Sequence, residues 1–159
     1  MAILEVPGSF PTIAAALAAA NPGDTINLAA GYGPEVVTVT VSNITITGPV
    51  DATGIEVTIG AGVTGLTLTG DAPINVTDSA GGDVITGNDG DNIITVTGGA
   101  DTVDGGLGVD RLVVDYSAFT GINTVTATSI TGSSGGSVTY TGFENLTILT
   151  GAGADTITL

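Results

Sequence analysis

A nine-residue repeat constrains the fold of this chain more than any other feature of its sequence. Four contiguous units occupy residues 78–113 and read DSAGGDVIT, GNDGDNIIT, VTGGADTVD and GGLGVDRLV. Every unit has glycine at its fourth position, Asp or Asn at its sixth and an apolar residue at its eighth. Short strands separated by glycine-rich corners at so close a spacing leave no room for helical crossovers, and they predict a solenoid of stacked coils.

The remainder of the chain supports the same architecture. After residue 24, short Thr/Val/Ile stretches alternate with Gly, Asn, Asp and Pro, a pattern typical of β-strands and tight corners. The one helical stretch is SFPTIAAALAAANPGD, with Ser9 as predicted N-cap and an Asn-Pro-Gly stop. We therefore expect an all-β, right-handed parallel β-helix or β-roll solenoid whose first coil is covered by a short N-terminal capping α-helix.

Three segments are expected within a single solenoid module of 159 residues. Residues 1–77 would form capped β-helix coils, residues 78–113 a roll of nonapeptides, and residues 114–159 wider coils. The last segment ends in a fifth unit, TGAGADTIT, at 150–158. This unit has no successor with which to stack, so we expect the module to be part of a longer protein.

The net charge and the absent residue types exclude several kinds of site and partner. The chain has no Cys and no His, which excludes disulfides, thiolate zinc sites and imidazole bases. Sixteen carboxylates face a single basic residue, Arg111, for a net charge of −15. Nucleic acids and anionic membranes are therefore unsuitable partners, whereas cations are suitable ones. No apolar run long enough for membrane insertion is present.

The nonapeptides resemble the calcium-binding repeat of the RTX (repeats-in-toxin) family, G-G-x-G-x-D-x-U-x, in which U is apolar. The last unit matches this pattern fully. The first unit has Asp78 and Ser79 in place of the glycine pair, the third has Val96 and Thr97, and the second has Asn92 in place of the aspartate. The resemblance implies six-residue turns, three-residue strands with U inside, and calcium as the bound ion.

Two nonapeptides make one coil, so equivalent turns stack at every second unit. Asp83 is then expected beside Asp101, and Asn92 beside Asp110, on opposite edges of the roll. Stacked carboxylates repel each other unless a cation lies between them, and Ca²⁺ accepts six to eight oxygen ligands, including turn carbonyls. The first pair offers two carboxylates and the second offers one, so the second site is expected to bind more weakly. The predicted metal residues are Asp83, Asp101, Asn92, Asp110, Asp89, Asp91, Gly81, Gly90, Gly99, Gly108 and Asp155.

Two points in this scheme stay open. Asp89 and Asp91 either add charge to a site or simply face water, and Asp155 has only Ser137 at the position one coil earlier. The alternative to metal binding is that Gly-Asp turns are solvated corners of the solenoid.

The resemblance implies a calcium-binding structural module, a spacer, adhesin segment or assembly unit, of a large secreted or cell-surface bacterial protein. Residues 9–48 resemble the cap and first coils of the pectin-lyase-like β-helix superfamily, which makes a fragment of an alginate-epimerase-like enzyme the alternative. We expect no enzyme, because only Arg111 is available as a cationic group near an acidic sugar. A self-assembling filament subunit is the third hypothesis. The partners expected are calcium, another copy at the open end of the solenoid, and a polysaccharide or cell surface.

Overall fold

Alternating apolar and polar residues place the strands of this protein in two sheets that face each other across a narrow core. The computed structural model describes residues 1–121, 123–133 and 135–158. Within them, the chain passes from one sheet to the other and back in each coil, and each strand lies parallel on its counterpart in the previous coil. The predicted all-β solenoid with a short N-terminal helix is thus confirmed.

Sheet one is ten-stranded and sheet two is six-stranded. Sheet one contains β1 (Ile3–Val6), β2 (Thr25–Leu28), β4 (Ile44–Gly48), β6 (Gly65–Gly70), β8 (Val84–Thr86), β10 (Gly99–Asp104), β12 (Asn123–Val125), β13 (Ser129–Gly132), β14 (Gly136–Thr141) and β16 (Thr156–Ile157). Sheet two contains β3 (Glu35–Val39), β5 (Ile55–Ile59), β7 (Ile74–Thr77), β9 (Ile93–Val96), β11 (Arg111–Asp115) and β15 (Asn145–Leu149).

The coils shorten as the chain enters the nonapeptides. Leu66 of β6 pairs with Ile44 of β4, and Ile85 of β8 pairs with Leu66 after a shorter stretch of chain. From β8 to β10, Val103 pairs with Ile85, at the same spacing of 18 residues that separates Asp83 from Asp101. Sheet two reaches this spacing where β9 pairs with β7, and keeps it where β11 pairs with β9. Two nonapeptides therefore make one coil, as the period predicts.

The apolar residue at the eighth position of each nonapeptide lies inside the solenoid. Ile85, Ile94, Val103 and Leu112 are all at most 1% exposed. Their neighbours on the same strands face outward, and Val84 is 55% exposed. Strand residues alternate between faces, so the register that buries the eighth position also buries the sixth-position residues, which lie directly before β8, β9 and β11 and inside β10.

The helix α1 (Ile13–Leu17) follows β1 and contacts β1, β2 and β3. It occupies the place in the chain where a sheet-two strand of the first coil would come. The prediction of Ser9 as N-cap was wrong: the cap is Thr12, whose hydroxyl accepts a hydrogen bond from the Ala15 amide. The Glu35 carboxylate at the start of β3 accepts the Ile13 amide as well, so the first strand of sheet two also anchors the helix. Within the described residues, no helix has the length and apolar character needed to cross a membrane.

An excursion interrupts the stack after β11. Strands β12 and β13 pair antiparallel with each other, and β13 pairs antiparallel with β14. Strand β14 then returns to β10, with Gly136 opposite Gly99, and β15 returns to β11. The next coil thus continues the stack, although the chain between the paired glycines is about twice as long as a nonapeptide coil.

Candidate metal centre

The turns that precede the nonapeptide strands form two columns, one on each edge of the solenoid. Close stacking of these turns depends on glycine. Gly99 has a φ of +96°, and a Cβ at this position would lie 1.8 Å from the carbonyl oxygen of Gly81 in the coil below. Only glycine combines this conformation with so close a backbone approach, so the turn pattern places the sixth-position side chains of adjacent coils next to each other.

In the first column, Asp83 lies beside Asp101. The Asp83 amide donates a 2.9 Å hydrogen bond to Oδ1 of Asp101. The amide and hydroxyl of Ser79 donate to Oδ2 of Asp83 at 3.2 and 2.9 Å. Both carboxyl groups are buried, with exposed fractions of 0% and 3%. Each is thus held by one oxygen, which leaves its other oxygen to bind something else.

Asp78 is a third buried carboxylate in this column. It follows β7 in sheet two, and its Oδ1 accepts hydrogen bonds of 2.8 Å from both the amide and the hydroxyl of Thr97. One carboxylate oxygen each from Asp78, Asp83 and Asp101 lie within 4.8 Å of one another. Sequence reasoning missed Asp78 as a site residue. The available signal was its place at the first position of a unit, where the repeat has glycine.

The first column has the electrostatics of a cation site. Oδ2 of Asp78, Oδ1 of Asp83 and Oδ2 of Asp101 are buried and have no hydrogen-bond partner among the described residues. Burial is the main cause that raises the pKa of Asp78 to about 7; the carboxylates of Asp101 and Asp83 contribute to the rise, and the hydrogen bonds from Thr97 partly offset it. Burial likewise raises the pKa of Asp101 to about 6, although the hydrogen bond from the Asp83 amide partly offsets the rise and the Asp83 carboxylate adds to it. The ion pair found in the described part of the chain joins the N-terminus to Asp24, far from this cluster in the sequence.

The second column contains Asn92, Asp110 and Glu144. The Asn92 amide donates to Oδ1 of Asp110 at 2.8 Å, and the Asp110 amide donates to Oε2 of Glu144 at 2.8 Å. The Asn92 side chain is already satisfied, because its Nδ2 donates to the carbonyl of Ile74 and its Oδ1 accepts the amide of Asn88. This column thus contains Glu144, an acidic residue that lies one coil after Asp110. Sequence reasoning missed it because it lies outside the nine-residue period.

Asp110 resembles the aspartates of the first column. Its Oδ2 is buried without a hydrogen-bond partner in the described residues. Burial raises its pKa to about 6, and the nearby carboxylates of Glu144, Asp91 and Asp104 add to the effect. The second column therefore offers one buried carboxylate and one exposed carboxylate to a cation, whereas the first column offers three buried ones.

The other predicted acidic residues are not part of the buried cluster of Asp78, Asp83 and Asp101. Asp89 and Asp91 are exposed, and Oδ1 of Asp91 accepts the Val109 amide at 2.8 Å. The pairing of Asp155 with Ser137 was wrong. Oδ1 of Asp155 accepts the amide and Nδ2 of Asn123, 32 residues earlier, because β16 stacks on β12 of the excursion.

The four turn glycines differ in their surroundings. Gly99 and Gly108 have positive φ values, Gly81 is exposed, and Gly90 is buried against the backbone of Asp71. Gly81, Gly90 and Gly108 lie in turns, whereas Gly99 is the first residue of β10.

Comparison with known proteins supports a calcium site in this part of the chain. Residues 77–112 match the family model of the RTX calcium-binding nonapeptide repeat, in four copies. Neither the curated proteins nor the solved structures contained a match to the chain. The matched segment consists of RTX repeats, whose ion is Ca²⁺, and the buried aspartate cluster is consistent with that ion.

Proposed function

We propose that this chain is a structural module of a secreted or surface-attached bacterial protein, and that Ca²⁺ bound between stacked turns stabilises its folded form. One observation carries the proposal: three buried aspartates converge, and each has an oxygen without a hydrogen-bond partner in the described residues. Desolvated carboxylates at this distance oppose folding unless a cation compensates them. Secretion is proposed because RTX repeats are typical of secreted proteins.

Calcium is suited to this role by its ligands and by its abundance outside cells. It accepts six to eight oxygens in flexible geometry, and carboxylates together with turn carbonyls supply such a set. Because the unfolded chain has no preformed site, the free energy of binding adds to the free energy of folding. The net charge of −15 makes this contribution larger, since the bound ions also reduce self-repulsion in the folded state.

The two columns are proposed to differ in their affinity for calcium. We assign the stronger site to Asp83 and Asp101, as ligands from adjacent coils. We assign a weaker site to the column of Asn92 and Asp110, because the Asn92 side chain already bonds backbone groups and supplies no charge. Asp89, Asp91 and Asp155 are proposed as surface acids that raise the local concentration of cations.

The module is proposed to act without catalysis. RTX repeats are typically not enzymes. Eliminating or epimerising an acidic sugar requires a base and several cationic groups, and this sequence has one Arg, no Lys and no His. Turnover of alginate or pectin by the purified chain would contradict this part of the proposal. Self-association and contact with a polysaccharide or cell surface stay predictions.

Thermal melts followed by circular dichroism test the proposal. Calcium-stripped protein is melted in EDTA, in millimolar CaCl₂ and in millimolar MgCl₂, with size-exclusion chromatography under each condition. We expect Ca²⁺ to raise the melting temperature substantially and Mg²⁺ to raise it little, because Mg²⁺ requires near-ideal octahedral geometry and keeps its water. Identical melts in EDTA and calcium would contradict the proposal. A change in elution volume would report self-association separately.

A further inference from the structure

We infer that the ion held by Asp83 and Asp101 is also bound by Asp78, and that the hydroxyl of Tyr116 closes the same site. We call this set of four residues the tyrosine-closed site. The inference rests on the proposed function, because it presupposes that a cation occupies the first column. It goes further by adding two residues that the nonapeptide pattern does not contain.

Tyr116 is the largest fully buried side chain near this column. It is 0% exposed, and its hydroxyl has no hydrogen-bond partner in the described residues. Leaving a buried hydroxyl unpaired destabilises the fold. Buried polar groups without partners are uncommon in folded proteins. We therefore expect the hydroxyl of Tyr116 to contact an ion bound in the first column.

The position of the Tyr116 ring is set by a glycine in the next coil. A Cβ at Gly136 would lie 2.7 Å from Cζ of Tyr116, so the ring occupies the space that any side chain at 136 would need. Gly136 pairs with Gly99, and Val138 pairs with Asp101. The phenol therefore lies one coil beyond Asp101, on the side of the column opposite to Asp83.

The charges around Tyr116 identify the group that it faces. After burial, the carboxylates of Asp101 and Asp78 are what raise the pKa of its phenol. The phenol therefore stays neutral at physiological pH. A neutral hydroxyl can bind a cation through its oxygen while donating its proton to a carboxylate oxygen, and both roles suit a hydroxyl near the carboxylates of Asp101 and Asp78.

Asp78 reaches the same site from the other sheet. Thr97 holds Oδ1 of Asp78 with two hydrogen bonds and leaves Oδ2 without a partner among the described residues. Asp83 and Asp101 both belong to sheet-one segments of the chain, whereas Asp78 directly follows a strand of sheet two. An ion bound by all three would connect the two sheets as well as adjacent coils. It would also have one more charged ligand than a pair of stacked aspartates provides, which increases affinity.

The tyrosine makes the site directly observable with Tb³⁺ as the probe. Three carboxylates carry a charge of −3, which a trivalent ion of similar oxygen preference neutralises. The chain has no Trp and three Tyr, so any Tb³⁺ emission excited through the protein comes from a tyrosine close to the ion. The hydroxyl of Tyr140 donates to the carbonyl of Thr126 at 2.8 Å, which makes Tyr140→Phe the matched control for Tyr116→Phe.

The experiment titrates Tb³⁺ into calcium-stripped protein, excites tyrosine, and then displaces Tb³⁺ with Ca²⁺. We expect sensitised emission from the wild type and from Tyr140→Phe, and a loss of most of it in Tyr116→Phe. Asp78→Asn should weaken Ca²⁺ binding in calorimetry by about tenfold or more, the range found for groups that support a metal site. The exposed Asp51→Asn serves as the control for loss of one charge. Melts in chelator establish that each variant folds.

The outcomes separate this inference from the function on which it rests. If Asp101→Asn loses calcium binding while Asp78→Asn and Tyr116→Phe bind like the wild type, the tyrosine-closed site is wrong and the calcium module stands. If the wild type binds neither Ca²⁺ nor Tb³⁺, the proposed function fails, and the inference fails with it. Emission that persists in Tyr116→Phe and disappears in Tyr140→Phe would place the ion elsewhere.

Discussion

Without calcium, this protein should become more stable as the pH falls from 7.5 to 5.5. The reason is the set of buried carboxyl groups, because burial raises the pKa of Asp78 to about 7 and the pKa values of Asp101 and Asp110 to about 6. A carboxyl group whose pKa is higher in the folded state binds more protons when folded. Its ionisation therefore destabilises the fold at neutral pH, and this destabilisation is removed as the pH falls through the folded-state pKa.

The size of the effect follows from these values. Between pH 7.5 and 5.5, a pKa raised from 3.8 to about 7 changes the free energy of unfolding by about 2 kcal/mol, and a pKa raised to about 6 changes it by about 1 kcal/mol. The three groups together give about 4 kcal/mol. For a chain of this length, that corresponds to a rise in melting temperature of about 10 °C.

Saturating calcium should reverse this pH dependence of stability. Bound carboxylates must be ionised, so protons compete with the ion and stability decreases as the pH falls. The assay is differential scanning calorimetry of calcium-stripped and calcium-loaded protein from pH 7.5 to 5.5 at constant ionic strength. In the stripped state, Asp78→Asn should be more stable than the wild type at pH 7.5 and should lose about half of the pH dependence. A flat profile for the stripped wild type, or a full slope in Asp78→Asn, would refute the reasoning.

Three further predictions concern the columns and their turns. Asp101→Asn should weaken calcium binding in calorimetry far more than Asp155→Asn, because only the first removes a buried carboxylate from the cluster. Equal losses of calcium affinity in the two variants would show that another site dominates. Asn92→Asp should increase the calcium affinity of the weaker site, because it adds a charge, and should lower the melting temperature in chelator, because it removes an amide donor. A variant that melts like the wild type both in calcium and in chelator would contradict this. Gly99→Ala should lower the free energy of unfolding, measured by urea denaturation, by several kcal/mol. Gly62→Ala should lower it by only about 1 kcal/mol, because Gly62 has a φ of +83° but open space around it. Similar losses in the two variants would mean that the close approach of the turns is unimportant.

The nonapeptide period was enough to predict the stacked part of the fold. Equivalent residues of alternate units meet because two units make one coil, and the eighth-position residues, such as Ile94 and Leu112, lie inside because strand residues alternate. The helix was predicted in the right region but with the wrong cap. The helix begins at Ile13 because this residue is buried in the core and its amide donates to Glu35 from a later coil, contacts that a local capping pattern does not contain.

The missing members of the acidic columns could not be predicted from the period. Asp78 breaks the glycine rule of its own unit, so the pattern assigns it no role. Glu144 and Tyr116 lie beyond the last unit, and their positions depend on where β14 and β15 rejoin the stack. The nine-residue period does not indicate where the stack resumes after the excursion, which packs beside the column through contacts such as the edge-to-face pair of Tyr116 and Phe119, at a ring separation of 5.4 Å.

The excursion between β11 and β14 shows how easily this architecture accepts extra chain. Doubling the length of a closed loop, as the excursion does to its coil, costs only about 0.6 kcal/mol of additional chain entropy. The register of β14 on β10 extends over all residues from Gly99 to Asp104, so the following coil is aligned by backbone pairing whatever lies in between. The segment containing β12 and β13 is therefore a natural graft point, where a peptide or a small domain can be inserted at the side of the rod while the coils above and below keep their alignment.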